Sequence, residues 1–325
     1  MPKWNKMTKV LFITNKTDLT TDFVVREVQK KRVDYYRLNT EEIGASVFIT
    51  LDISKDAYFL YDRLLGIKHD LKSFTSVYFR RPEVRRIDDE DLTDAERQFI
   101  KIEHYQTLEG IYSVLSGAYW ISPAQTIRNA ENKIYQQILA NKIGLKVPDG
   151  IITNDAGDFE TFCAGNDNAC VVKSIRSGQV GIEETEKIAY TSILDDLPSK
   201  VQIEISPTYI QRNIKKQCDI RVTAVGRKLF STAIMSQECE ETQTDWRKGE
   251  HVLPYYEINL PEELEKKCLL LLDALHLEFG AIDFILGEDG EYYFLEINPN
   301  GQWAWIECRT NYHIAAEIAK LLTKA

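Results

Sequence analysis

The chain alternates between two hydrophobic periods, and the switches between them mark its elements. Residues 10–15 (VLFITN) form a short apolar run that ends in turn chemistry, the pattern of a buried strand. Residues 22–31 follow with helical spacing through Phe23, Val24 and Val28, and 33–38 return to a strand pattern. A β-α-β opening predicts a parallel sheet covered by helices. Residues 46–51 and 57–61 read as two further strands, paired as a hairpin, and 76–79 as another that runs into Arg80, Arg81 and Pro82. A long helix is predicted over 94–115, with Phe99, Ile102, Tyr105 and Leu108 at helical steps. This first region closes near 120–123.

A second region opens with an amphipathic helix over 130–143, stopped by Gly144 and followed by Pro148. Residues 151–153 and 170–175 read as strands, with a short helix over 158–163 between them. Ser177-Gly178-Gln179-Val180-Gly181 is a Gly-bearing loop. The third region has antiparallel character. Residues 208–214 read as a strand, and 219–225 and 228–235 alternate around Gly226-Arg227 as a hairpin. A helix follows over 261–277, with Pro suited to its first turn. Residues 281–286 and 292–297 flank Gly287-Glu288-Asp289-Gly290 as a second hairpin, and a last helix covers 311–322. The pattern is that of an α/β chain of 325 residues, long enough for two or three domains, divided here as 1–123, 124–207 and 208–325.

Charge narrows the function classes. The chain carries 40 Lys+Arg against 50 Asp+Glu, a formal net charge of −10. Such a surface repels phosphate backbones at long range, which argues against general nucleic-acid or anionic-membrane binding. The six cysteines show no CxxC pair and the chain has five histidines, so a zinc cage is not expected. They read as free, mostly buried thiols of a cytoplasmic protein. The first residues, MPKWNKMTKVLFITN, lack the apolar run and cleavage site of a signal peptide, and no stretch reaches the length of a spanning helix.

The strongest chemical signal lies on the last hairpin. Asp283 sits in AIDFIL, and Glu296 and Asn298 sit in YFLEINPN on the return strand. Glu296 and Asn298 are two residues apart and share one face of the pleat, which Asp283 can face across the ladder. Three hard oxygen donors among apolar neighbours suit Mg²⁺, which completes its shell with water and phosphate oxygens. The alternative is an ordinary hairpin with solvated acids. Lys133 opens a helix in ENKIYQ, and Lys173 ends the strand CVVK ahead of the Gly-bearing loop; both suit phosphate contact, or are surface lysines with buried stems.

Taken in order, NKIYQ, VVK, the Gly loop, DIRV, the ID strand and LEINPNGQW resemble the ATP-grasp ligases. More narrowly, YFRRP at 78–82, ISPAQTIRNAENKIYQ at 121–136, SQ followed by TDWRKG at 236–249, and LEINPNGQWAWIE at 295–307 are similar to the ATP-grasp ligases that mature graspetides, the microviridin-type ribosomal peptides. The resemblance spans nearly the whole chain. It implies an ATP-grasp fold with an N-terminal α/β (pre-ATP-grasp) domain and two α+β lobes enclosing the nucleotide. It implies ATP and Mg²⁺ as cofactors. Lys133 and Lys173 would touch the phosphates, with Gly178 and Gly181 in the loop over them. Asp283, Glu296 and Asn298 would hold the metal. The segment Gln211, Arg212, Asn213, Ile214 would pair its backbone with adenine; the family usually has an acidic residue where this chain has Arg212, which puts a side-chain contact there in doubt. Asp219 would accept from the ribose hydroxyls, or be a solvated strand-start acid.

Arg221, two residues after Asp219 on the same face, and Arg247, in the polar stretch 238–250, are candidates for the catalytic acyl-phosphate site, because a guanidinium grips carboxylate and phosphate in two-pronged fashion. Arg80 and Arg81 end a strand where α/β sheets present ligand groups, and can serve either a substrate cleft or a domain contact. The resemblance further implies a precursor peptide with a leader, bound near 159–188, and a core rich in acids and Thr/Ser or Lys, and it implies a homodimer. The expected activity is ATP-dependent macrocyclisation through ester or amide bonds. The alternative is a ligase that conjugates an amino acid to a protein or small molecule.

Overall fold

The computed structural model describes residues 8–87, 91–175, 179–180, 187–188, 191–194, 196–248 and 253–324. Gly178 and Gly181 lie outside the described residues. The chain divides into two compact units, one of Met1–Ile127 with Gln302–Ala325 and one of Arg128–Gly301.

The first unit is built on four parallel strands in the order β2-β1-β6-β7, where β1 is Lys9–Thr14, β2 Asp34–Asn39, β6 Ser76–Phe79 and β7 Tyr119–Ile121. Residues Val10, Leu11, Phe12 and Ile13 have no exposed surface, as a central parallel strand covered on both faces requires. The crossover from β1 to β2 is α1 (Leu19–Lys30), which buries Val24 and Val28. Between β2 and β6 stand three antiparallel strands, β3 (Val47–Asp52), β4 (Ala57–Asp62) and β5 (Ile67–Asp70). The expected hairpin therefore has a third strand, whose sequence IKHD carries no apolar run to announce it. Helix α2 (Asp94–Val114) starts at a capping box made by Thr93 and Glu96.

Residues 302–325, expected within the C-terminal lobe, group with the first unit. The helix Ile314–Leu322 buries Ile314, Ala315, Ile318, Ala319 and Leu322. Each large apolar side chain so covered contributes about 1.5–3 kcal/mol. The same segment supplies the partner of Arg80. Arg80 is 1% exposed, its Nε lies 3.1 Å from Asp18 Oδ2, and its Nη2 donates to Gln302 Oε1 at 2.6 Å. Arg81 has a left-handed backbone (φ 48°), and its carbonyl accepts from Asn15 Nδ2 at 2.7 Å. Both arginines of FRRP thus engage groups of the first unit.

In the second unit, α3 (Ala124–Ala130), which begins in the first, gives way to α4 (Lys133–Ile143) where a single helix over 130–143 was expected. The break has a local cause: the Asn132 side chain caps α4 by accepting from the Tyr135 N–H at 3.1 Å, and an N-cap residue stands outside the helix. Four antiparallel strands follow in the order β12-β9-β13-β8: β8 is Gly150–Thr153, β9 Cys170–Lys173, β12 Ser192–Ile193 and β13 Thr208–Arg212. The helix α5 (Ala156–Gly165) buries Phe159 and Cys163 against Cys170 and Ile210. The strands β10 (Gln179–Val180) and β11 (Lys187–Ile188) pair antiparallel.

A five-stranded antiparallel sheet completes this unit in the order β16-β15-β14-β17-β18, with β14 Lys216–Val225, β15 Lys228–Ile234, β16 Tyr255–Glu257, β17 Phe279–Gly287 and β18 Tyr292–Asn298. Both expected hairpins are present in it. The cysteines are free, and four of them are buried. No helix among the described residues is long and apolar enough to cross a membrane.

Candidate active site

The register of the five-stranded sheet sets one charged row. Arg221 on β14 pairs with Asp283 on β17, and Asp283 pairs with Glu296 on β18. Residues directly opposite on neighbouring antiparallel strands have Cβ atoms about 4.5–5.5 Å apart, so the three side chains share a face and a neighbourhood. Arg221 Nε lies 3.0 Å from Asp283 Oδ1. Yet its Nε and Nη1 are buried and have no hydrogen-bond partner among the described residues. The close approach is too oblique for the N–H groups to point at the carboxylate. The Trp246 ring lies against the same guanidinium, 5.5 Å from centroid to Cζ.

Edge strand β18 is pinned from outside by α4. Gln136 Nε2 donates to the Ile297 carbonyl at 2.8 Å while its Oε1 accepts from the Ile297 N–H at 3.0 Å. This amide acts as a surrogate strand partner, and it sets the first residue of α4 beside the row: Lys133 Nζ is 2.8 Å from Glu296 Oε2. Gly301 explains the NPNG turn after β18. A Cβ there would stand 2.3 Å from the Ala281 Cβ and 3.4 Å from Arg221 Nη1, so only glycine permits the approach.

These groups open on a cleft lined by Val171, Lys173, Gln211, Asn213, Ile214, Lys216, Asp219, Asp245, Trp246, Arg247, Asp283, Ile285, Leu295 and Glu296, among others. Lys173, Gln211, Asn213, Ile214, Asp219, Arg247, Asp283 and Glu296, singled out in the sequence, line it, and Lys133 and Arg221 join it through their ion pairs. Asn298 lies two residues beyond Glu296 in register with Ala281, and its Oδ1 accepts from the Asn300 N–H at 2.9 Å. Asp219 is 4% exposed; it accepts from Lys216 Nζ at 2.6 Å and from the Ser236 hydroxyl. The expected ribose acceptor therefore already has two donors. Arg212 Nε lies 3.3 Å from Asp149 Oδ2.

The electrostatics are those of a crowded charged cleft. Burial pushes the Asp283 carboxyl up to about 6 against the opposing pull of Arg221, with Glu296 adding to the rise. Burial also acts upward on Glu296, but Lys133 and Arg247 hold it below the usual carboxylate range. Burial brings the Lys173 ammonium down to about 8, with Glu296 opposing and Lys133 adding to the fall. A triphosphate and a divalent cation would offset both tendencies, supplying anions for the lysines and a cation for the paired acids. Two carboxylates in one row with an amide two residues on form a hard-oxygen donor set that fits Mg²⁺.

Lys216, Asp245 and Trp246 are parts of the cleft that sequence reasoning did not single out. The signal available for Asp245 was its spacing of two from Arg247 in TDWR, which lets one side chain grip the other.

The known proteins this chain resembles share that arrangement of elements. Residues 130–322 match the RimK-like ATP-grasp domain, and residues 9–128 match the MvdD pre-ATP grasp domain. The chain belongs to the RimK-like ATP-grasp family. Its enzyme class is that of ATP-dependent ligases, and the expected fold, with its N-terminal pre-ATP-grasp domain, is borne out. A solved RiPP-associated ATP-grasp ligase of Chryseobacterium gregarium, in complex with ADP and a leader and core peptide, is 28% identical with a TM-score of 0.87, covering 98% of this chain and 97% of that one. The macrocyclase MdnB of Microcystis aeruginosa is 28% identical with a TM-score of 0.82, covering 98% of this chain and 100% of that one. These likenesses bear out the resemblance to graspetide-type maturases. A curated relative, the coenzyme gamma-F420-2:alpha-L-glutamate ligase of Methanococcus maripaludis, is 26% identical over 205 residues; the match spans 60% of this chain and 66% of that protein.

Proposed function

We propose that this ligase closes rings in a ribosomal precursor peptide, joining Asp or Glu side chains to Thr or Ser hydroxyls as esters, or to Lys amines as amides. One observation carries the reading: a buried guanidinium, Arg221, with two unpartnered N–H-bearing atoms beside Asp283, whose side chain lines the cleft together with Glu296 and Lys173. A buried unsatisfied donor is costly in the free protein and is repaid when an anion arrives. That is the need of a carboxylate on its way to an acyl phosphate.

In the proposed reaction a substrate carboxylate oxygen attacks the γ-phosphorus of ATP, and the bond to the ADP oxygen breaks. A hydroxyl or amine of the same peptide then attacks the acyl carbon, loses its proton, and expels inorganic phosphate. The apolar side chains of Val171, Ile285 and Leu295 suit a flat base beside the backbone of Gln211, Asn213 and Ile214, and Asp219 with Lys216 lines the same cleft for the ribose. Lys133 and Lys173 neutralise the phosphates. Asp283, Glu296 and Asn298 would hold Mg²⁺, which supplies charge neutralisation at the transferred phosphoryl group. Arg221 and Arg247 grip the acyl phosphate, and low dielectric in the cleft strengthens each contact. Both reacting groups belong to one chain, so the second step gains from proximity.

The solved relative bound to a leader and core peptide supports such a substrate. A homodimer, a leader held near 159–188 and a cytoplasmic setting belong to the same proposal; sedimentation velocity reads the first, and a monomer would overturn that part. The second reading, conjugation of a free amino acid, is favoured by the glutamate-ligase relative. Mass spectrometry of an acidic, Thr-rich precursor incubated with ATP, Mg²⁺ and free glutamate separates the two. Loss of one water mass per ring supports the cyclase. A gain in mass supports conjugation, and an unchanged peptide with ATP intact refutes both.

A further inference from the structure

Arg247 lies on a stretch of short helical turns, where nothing in the backbone dictates the direction of its side chain. Asp245 dictates it. The Asp245 carboxylate is 3% exposed and accepts from Arg247 Nε and Nη2, each at 2.8 Å, and from the Arg247 backbone N–H at 3.1 Å. Its Oδ2 also accepts from the Thr191 N–H, on the strand side of the cleft, at 3.3 Å. Four hydrogen bonds converge on one buried carboxylate. Burial acts to raise it, yet the Arg247 bonds hold it below the usual carboxylate range.

A guanidinium has five N–H donors in a fixed plane. Asp245 occupies the edge formed by Nε and Nη2, so the Nη1 end is what Arg247 presents to the cleft, 3.6 Å from Glu296 Oε1. Glu296 is the nearest rival for the occupied edge. Freed from Asp245, the fork can rotate onto Glu296 and claim both of its oxygens.

Resting on the function proposed above, we propose that Asp245 is a positioning residue: it holds Arg247 edge-on, so that one end of the guanidinium faces the carboxylate under activation and Glu296 meets that end alone rather than the whole fork. Asp245 touches no substrate in this account and acts only through Arg247.

The test is a double-mutant cycle of D245N and R247A, read as peptide-dependent ADP release with separate kcat and KM, and as nucleotide affinity by titration calorimetry. D245N is expected to raise the KM for peptide and lower kcat/KM by about 10–100-fold, the scale of a misplaced contact, with the affinity for ATP measured without Mg²⁺ unchanged. In the R247A background D245N is expected to cost nothing further. D245E, which keeps the charge, is expected to recover part of the loss. If D245N does not fold, D245E in both backgrounds gives the same cycle: a loss that vanishes without Arg247. If R247A is impaired and the Asp245 change costs as much again, the positioning role is overturned while the ligase reading stands. If R247A keeps full activity, the role assigned to Arg247 falls, and the positioning role falls with it.

Discussion

Two buried arginines in this chain carry opposite lessons. Arg80, in the first unit, meets Asp18 through Nε and Gln302 through Nη2, and Asp18 also accepts from Thr14 and Thr21 at 3.1 and 2.7 Å. Arg221, in the second, sits 3.0 Å from Asp283 with Nε and Nη1 unpartnered among the described residues. The first cluster is closed: its charges are compensated and its lone pairs engaged. The second is open, and its missing contacts describe what a ligand must bring. A buried charge is a structural element when its shell is complete and a binding site when it is not.

Breaking the closed cluster should have the largest effect. Arg80→Met leaves Asp18 buried without its cation, which costs about 3–5 kcal/mol of stability; urea denaturation reads this, and a loss below about 1 kcal/mol would mean that the cluster is not a structural lock. Breaking the open cluster should act on rate instead. Arg221→Met is expected to lower peptide-dependent ADP release by about 10²–10³-fold, the scale of losing one charge-stabilising donor. Its melting temperature should fall less than that of Arg80→Met, because Asp283 loses its cation but an unsatisfied buried guanidinium is removed with it. A melting temperature that falls as far as that of Arg80→Met would erase the contrast.

Gly301→Ala sharpens the comparison with a smaller change. Its Cβ would meet the Ala281 Cβ and crowd Arg221. The expected cost is about 1–3 kcal/mol of overpacking, with a fall in activity per folded molecule, since the turn bears on the open arginine. The smallest effect is a proton. Lys173 is held near 8 in the free protein, below its ordinary 10.5. A bound triphosphate restores the charged form. Below about pH 8 the amine is protonated in both states and nucleotide binding takes up no proton. Above it, binding takes up as much as one, and affinity falls as pH rises. Calorimetry in buffers of different ionisation enthalpy measures this uptake; none at pH 9 would contradict the placing of Lys173 at the phosphates.

The readable parts of the fold were those with strong periodicity. The parallel opening followed from VLFITN and its helical successor, and the last hairpin from two apolar runs around Gly287–Gly290, which let Asp283 face Glu296 across the ladder. The strand Ile67–Asp70 escaped because a short half-polar strand has no pattern, and the helix break at Glu131-Asn132 because a cap is one residue deep in an otherwise helical run. The packing of 302–325 on the first unit was not legible either, since an amphipathic helix does not name its partner. Likewise Asp245 and Trp246 lie at a short helical turn, and Lys216 is the first residue of its strand, where no hydrophobic period points to them.

The central claim is that the open arginine and its two acids activate a peptide carboxylate as an acyl phosphate. The direct measurement is positional isotope exchange in ATP labelled at the β–γ bridging oxygen, with a precursor whose acceptor hydroxyls and amines have been removed. Label is expected to migrate from the bridge to non-bridging β positions when the peptide is present, and the migration is expected to be lost in Arg221→Met. Label that stays in the bridge, while the same enzyme still closes rings in the intact precursor, would contradict the claim.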